Sequence, residues 1–222
     1  MPFGLRNAPA TFQRLINRFK SGIPEVCLLA YLDDLILCSQ TFQQHLEDIN
    51  TVLDRLSLFR LRLNNQKCNF CCSRVKFLGH ILTPAGIAVD PGKTLAIVDR
   101  REPRNLKELI SFIQTCSWYR RFIEHYAEIA RPLTNLTKKT AIWKWGEDEK
   151  NAFNLLKKSL TTSPILRQAV DNVPFSIKTD ASAYALGAVL LQGEGQDEHP
   201  IEYASRLLSS AERNYSTTER EA

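Results

Sequence analysis

Phe12, Leu15, Ile16 and Phe19 recur at i, i+3, i+4 and i+7 just after Pro9, a residue suited to a first helical turn, and predict an amphipathic helix. Two short apolar runs follow, Val26 to Leu32 and Leu35 to Cys38, parted only by Asp33-Asp34. They read as a buried hairpin with two carboxylates at its tip. Phe42, Leu46, Ile49, Leu53 and Leu56 predict a second helix starting near Thr41. Arg60 to Leu63 and Val75 to Leu82 read as further strands, the latter closing at the turn signal Thr83-Pro84-Ala85-Gly86. Asn105 and Glu108 have capping-box spacing ahead of the stripe Leu106, Leu109, Ile110, Ile113, and two or three helices fit between residues 93 and 140. Another helix is expected from about Asp148 to Leu160, ended by Thr161-Thr162-Ser163-Pro164, with Pro164 marking a boundary. From Pro174 the pattern changes to strands at Phe175 to Thr179, Ala185 to Gln192 and Ile201 to Ala204, with Gly193-Glu194-Gly195 as a hairpin loop. Helices and strands alternate, so the fold class is α+β or α/β, with a second sheet domain near the end.

The 222 residues are 44% hydrophobic and 24% charged, without a low-complexity tract, which excludes a disordered or fibrous chain. No apolar run approaches the ~20 residues of a membrane span, so no membrane partner is expected. The start lacks the basic and apolar blocks of a secretory signal. All six cysteines lie between Cys27 and Cys116 and are expected as reduced thiols. Cys68 and Cys71 form one C-x-x-C, with Cys72 adjacent and His80 nearby, but the second ligand pair of a structural zinc site is missing from the pattern.

Charge is unevenly spread. Residues 1–92 carry 10 basic and 7 acidic side chains, 93–140 carry 10 and 5, and 141–222 carry 9 and 12. In the middle segment Trp118, Tyr119, Phe122 and Tyr126 lie among Arg120, Arg121 and Arg131, a mixture that suits a phosphate backbone. The plainer account is a solvated helix face over ordinary core aromatics. Asp33-Asp34 likewise has two accounts. Adjacent carboxylates at the edge of a core call for a cation, and a pair of Mg²⁺ ions on such groups can clamp the oxygens of phosphoryl transfer. A solvent-exposed turn would need no ion.

Beyond these patterns, Tyr31-Leu32-Asp33-Asp34 resembles the Y-x-D-D hairpin of reverse transcriptases. The stretch from Met1 to Gln13, MPFGLRNAPATFQ, resembles their preceding motif in the form used by Ty3/gypsy-type LTR retrotransposons. Leu61 to Cys68 resembles the next motif, and Val75-Lys76-Phe77-Leu78-Gly79-His80 resembles the primer grip. Leu106 to Phe122 is similar to the thumb, Trp143-x-Trp145 with Phe153 and Leu156 to the connecting segment, and Lys178 to Ser182 with Leu186 to Leu190 to the start of ribonuclease H.

The resemblance implies a reverse-transcriptase palm with its primer grip over residues 1–92, a helical thumb over 93–140, a connection over 141–170 and the N-terminal part of a ribonuclease H-like α/β domain over 171–222. It implies an RNA-directed DNA polymerase with ribonuclease H activity, working by two-metal nucleotidyl transfer. Asp33 and Asp34 would hold Mg²⁺, two ions per complete site, with Mn²⁺ as the alternative ion. Lys67 would protonate the leaving pyrophosphate. Phe3, Gly4, Gln13 and Tyr31 would lie near nucleotide and template, and Lys76, Phe77, Leu78, Gly79 and His80 along the primer. Asp180 and Glu221 would bind the metals that cleave the RNA strand of a hybrid. Thr218 with Glu221 also fits a capping box, whereas Ser216 with Glu219 would leave Glu221 free.

The implied partners are an RNA template, a DNA primer, an RNA/DNA hybrid and deoxynucleoside triphosphates, in an intracellular, cytoplasmic virus-like particle if the parent element is active. The motifs at Met1 and Ala222 are cut by the ends of the sequence. Further Pol segments, carrying the remaining carboxylates, are therefore expected upstream and downstream. The isolated chain is expected to be weak or inactive, with residues 170–222 the least stably folded. Two rival accounts are a noncatalytic nucleic-acid-binding remnant of a retroelement and an inert open reading frame.

Overall fold

The structure, a computed structural model, describes residues 4–221. It divides into two compact units, Met1–Cys72 and Ser73–Ala222.

In the first unit, α1 (Ala8–Ser21) carries Pro9 in its first turn and buries Ile16 and Phe19. The hairpin strands β1 (Leu28–Tyr31) and β2 (Asp34–Leu37) pair antiparallel, and α2 (Phe42–Leu58) starts at Thr41, whose side chain accepts from the Gln44 amide at 3.2 Å. Phe19, Ile23, Val26, Leu28, Val52 and Leu56 form the core, with Leu35 and Leu37 packed against it. Only one face of the hairpin meets this core. On the other, Leu29 and Tyr31 are 39% and 51% exposed although Ile36, opposite Leu29, is buried, so the hairpin is partly covered rather than sequestered.

Two sequence expectations change here. The stripe Phe42, Leu46, Leu53 lies outward, at 67%, 40% and 40% exposure, while α2 turns Asp48, Val52 and Leu56 inward. Asp48 tolerates burial because Ser39 Oγ donates to it at 2.6 Å and Gln44 Nε2 at 2.8 Å. Arg60 to Leu63 is not a strand. Arg60 has φ +54°, the Leu61 amide bonds the Leu56 carbonyl at 2.9 Å and the Arg60 amide bonds that of Ser57 at 3.0 Å. This is a Schellman cap, with Leu61 returned to the core, and its left-handed position favours glycine. Arg60→Gly is accordingly expected to stabilise the first unit by about 0.5–1 kcal/mol, read as slower amide exchange along α2.

The second unit opens with an antiparallel meander, β3 (Val75–Phe77), β4 (His80–Thr83) and β5 (Gly86–Val89). The single strand expected from Val75 to Leu82 is thus two, because a tight turn at Leu78-Gly79 is concealed in a continuous apolar run. Four helices follow where two or three were expected: α3 (Pro91–Val98), α4 (Leu106–Trp118), α5 (Tyr126–Ile129) and α6 (Arg131–Asn135). Asn105 caps α4 by accepting from the Glu108 amide at 3.0 Å. Next, α7 (Glu147–Thr161) starts with three acidic residues in its first turn, favourable to the helix dipole. Beyond it Leu166 exchanges two backbone bonds with Ile87, at 2.7 and 2.9 Å. The close approach is possible because Gly86, at φ +133°, has no Cβ to meet the Leu166 carbonyl.

Val89, Ile97, Leu109, Phe112, Tyr119, Phe122, Leu133, Phe153, Leu156 and Leu166 belong to one core, so the meander, the helices and the segment after them are joined. A last antiparallel sheet, in the order β6 (Phe175–Ala181), β7 (Ala185–Gln192), β8 (His199–Leu207), packs on α5 through β8, and α8 (Thr217–Glu221) lies against β6. The Ala127 amide donates to Ser205 Oγ at 2.9 Å, the Arg120 guanidinium to the Ser205 carbonyl, and Arg121 pairs with Glu202 at 3.2 Å. Of the aromatic and basic mixture in this region, Tyr119, Phe122 and Tyr126 are core, and Arg120 and Arg121 are engaged on β8. The aromatics are thus ordinary core, but the two arginines are held by β8 rather than lying on a solvated helix face, and Trp118 is 59% exposed.

Buried carboxylates give both units a pH dependence of the same sign. Hydrogen bonds from Ser39 and Gln44 hold Asp48 below the usual carboxylate range. Burial opposes ionisation of Asp90, but hydrogen bonds from the Gly92 amide and Lys76, with the charge of Lys76, outweigh it and lower its pKa too. A carboxylate depressed by folding contributes stability that is present above its unfolded value, near 3.9, and is lost as pH falls through the folded one. The chain is expected to lose urea resistance progressively below about pH 4, with a shallower decline in Asp48→Asn and Asp90→Asn.

Candidate functional site

Tyr31 pairs with Asp34 across the β1–β2 hairpin, leaving Leu32-Asp33 as a two-residue turn. Leu32 has φ +50°, at the position where such turns usually place glycine. A leucine there costs roughly 1–2 kcal/mol and must be held by its surroundings. Gln13, on α1, supplies the hold: its Oε1 accepts from the Leu32 amide at 2.8 Å and its Nε2 donates to the Ala30 carbonyl at 3.5 Å. The sequence suggested Gln13 only by resemblance, and nothing in the local pattern marked it as a partner of the hairpin.

Asp33 and Asp34 are exposed, and no side-chain hydrogen bond among the described residues engages either carboxylate. Two free carboxylates are a hard-oxygen donor set, and Mg²⁺ is commonly held by one or two carboxylates with substrate phosphates and water completing its shell. The residues fit such an ion. Among the described residues no group of three or more His, Cys, Asp or Glu converges on a single cation position. Gly4 is exposed at φ +88°, and Phe3 lies outside the described residues. Lys67 is exposed at the end of a 3₁₀ turn, Asn65–Lys67, in the same unit as the hairpin.

In the second unit, Leu78 and Gly79 have φ +49° and +81°, the signature of a type I′ turn. Tyr119 donates its hydroxyl to the Gly79 carbonyl at 3.2 Å, and a Cβ on Gly79 would stand 3.1 Å from that hydroxyl. His80 is set among Trp118, Tyr119 and Phe122, with ring centroids 6.3, 5.6 and 5.5 Å away. Burial, then repulsion from Arg121, pushes its imidazole below the usual range, which favours the neutral ring. Lys76 pairs with Asp90 at 3.2 Å and Phe77 is half-buried. Phe77 and His80 are thus turned partly into the fold, while Lys76 stays exposed.

Asp180 is exposed near the end of β6, paired with Gly187. On α8, Ser216 and Glu219 form the capping box: the Ser216 amide donates to the Glu219 carboxylate at 2.8 Å and the Glu219 amide to Ser216 Oγ at 3.4 Å. Glu221 is therefore not used as a cap. Arg220 donates to the Ser182 carbonyl at 3.3 Å, tying α8 to the chain just beyond β6. Among the described residues no helix is long and apolar enough to cross a membrane.

Residues 1–82 match the family model of reverse transcriptase (RNA-dependent DNA polymerase), and residues 145–222 match that of the RNase H-like domain found in reverse transcriptase. All of the chain aligns with the retrovirus-related Pol polyproteins from transposons opus and 297 of Drosophila melanogaster, at 41% and 43% identity. It aligns equally completely with the Tf2-3 transposon polyprotein of Schizosaccharomyces pombe, at 33%. It spans 23%, 21% and 17% of their lengths. Among solved structures, 99% of the chain superposes on 38% of a foamy viral protease-reverse transcriptase bound to double-stranded DNA, with a TM-score of 0.88 and 26% identity. In a complex of the same kind of enzyme with an RNA/DNA hybrid, all of it superposes on 30% of that chain, at 0.83 and 25%. The chain belongs to the reverse transcriptase and ribonuclease H region of LTR-retrotransposon Pol polyproteins.

Proposed function

We propose that this chain supplies the carboxylate hairpin, primer grip, thumb and first part of the ribonuclease H domain of an RNA-directed DNA polymerase. The observation that carries the proposal is the Asp33-Asp34 hairpin, two unengaged carboxylates on a strained turn that Gln13 holds from α1. Asp33 and Asp34 would bind Mg²⁺, which supplies charge stabilisation at the transferring phosphoryl group. Exposed Lys67 would donate a proton to the leaving pyrophosphate, and Gly4 and Tyr31 would border nucleotide and template. Gln13 would act by shaping the turn. The Leu78-Gly79 backbone would hold the primer end, positioned by Tyr119, with His80 and Phe77 supporting the turn from inside. Asp180 and Glu221 would serve the ribonuclease H metals.

Grafted in place of the aligned 222 residues of the transposon 297 polyprotein, the chain is expected to support extension of a DNA primer on an RNA template, dependent on Mg²⁺. A graft that binds RNA/DNA hybrid but extends no primer would sink the proposal.

A further inference from the structure

Between α3 and α4 the chain runs through Arg100-Arg101-Glu102-Pro103-Arg104, beside Lys157 of α7 and Trp145 just ahead of it. A cleft of about 630 Å³ opens there, lined by Arg100, Arg101, Arg104, Trp143, Trp145 and Lys157 among others. Glu102, the one carboxylate of the lining, accepts from Trp145 Nε1 at 2.8 Å against at least three cationic side chains, and Glu108 nearby accepts from the Arg104 amide at 2.9 Å and Asn105 Nδ2 at 3.0 Å. Lys157 donates to the Arg100 carbonyl and Arg100 to Ser111 Oγ at 3.3 Å, which fixes the loop. Arg101 and Arg104 are exposed, and neither side chain makes an ion pair or hydrogen bond among the described residues. The indoles of Trp143 and Trp145 lie 6.0 Å apart at 15°, and Trp143 is 37% exposed.

Free guanidinium groups match phosphate oxygens, and an exposed, oriented indole offers a stacking surface for a base. The cleft is shallow and open to solvent, a form that a strand can lie across. A duplex keeps its base faces inside its own stack, so the indole is useful only to an unpaired base. We propose that this cleft binds an unpaired nucleotide of a nucleic-acid strand, its phosphates on Arg101 and Arg104 and its base on Trp143. The site stands on the cleft alone and needs no activity at the carboxylate hairpin.

The test is fluorescence anisotropy of a labelled strand of ten deoxythymidines, and of a blunt DNA duplex, with the purified chain. Trp143→Ala is expected to weaken single-strand binding about tenfold, and Trp143→Phe to retain most of it. Arg101→Glu with Arg104→Glu should lower the salt slope for the single strand by about 1.4, two phosphate contacts' worth. Duplex affinity should stay within twofold in the two Trp143 variants. None of these readings involves primer extension or Mg²⁺, so failure here is distinct from failure of the polymerase proposal. A single-strand affinity within twofold of the parent in both Trp143→Ala and the double arginine variant would overturn the site. Equal loss on strand and duplex in Trp143→Ala would overturn its preference for an unpaired base. Competition by deoxythymidine monophosphate as effective as by the ten-mer would overturn the assignment to a strand.

Discussion

Asp33→Asn in the grafted segment is expected to lower Mg²⁺-dependent primer extension by about a thousandfold or more, with hybrid binding retained. Loss of a metal-holding carboxylate removes several kcal/mol of transition-state stabilisation, and each 1.36 kcal/mol is tenfold in rate. The substitution is a clean probe because Asp33 is exposed and its carboxylate has no hydrogen bond to lose among the described residues. Asparagine keeps its shape and leaves Leu32 and the Gln13 clamp in place. Extension within tenfold of the parent would mean that Asp33 does not hold the reacting metal. Asp34→Asn would then show whether the second carboxylate matters.

Phe153→Ala is expected to destabilise the second unit by about 3–5 kcal/mol. Phe153 is 1% exposed, its ring centroid is 4.4 Å from that of Phe112 and 6.0 Å from that of Trp145, and the Lys157 ammonium stands 4.5 Å over it. The truncation therefore opens a cavity where α4 and α7 meet, and also loses an aromatic pair worth about 0.5–1.5 kcal/mol beyond area. Trp118, Trp143 and Trp145 all belong to the second unit, so tryptophan fluorescence during urea unfolding follows that unit alone. The midpoint should fall with the slope unchanged. A cost under 1 kcal/mol would mean that Phe153 does not join the helices into one core.

Much of the candidate site was legible because its signals are local. Asp33-Asp34 between two apolar runs is a contiguous pattern, and the Ser216/Glu219 box needs only a spacing of three. The concealed elements have an equally specific cause. Leu78-Gly79 sits inside an unbroken apolar run, so no polar break announced the turn between β3 and β4. Arg60 adopts a left-handed backbone without being glycine or asparagine, so the cap after α2 was hidden in an apparent strand. The Gln13 clamp joins positions 19 residues apart and leaves no periodic trace.

α2 and the Arg120-Arg121 pair show where local encoding ends. Spacing alone determined that residues from Thr41 onward form a helix, because backbone preference and capping act within a few residues. It could not say which face is buried, since Asp48 becomes tolerable inside only when Ser39 and Gln44 satisfy it beside the hairpin. Composition likewise established a basic middle segment, but not that Arg120 and Arg121 would be engaged by β8 while Arg101 and Arg104 have no side-chain partner among the described residues. Charge belongs to each residue, whereas its availability depends on partners that the fold brings from some eighty positions away.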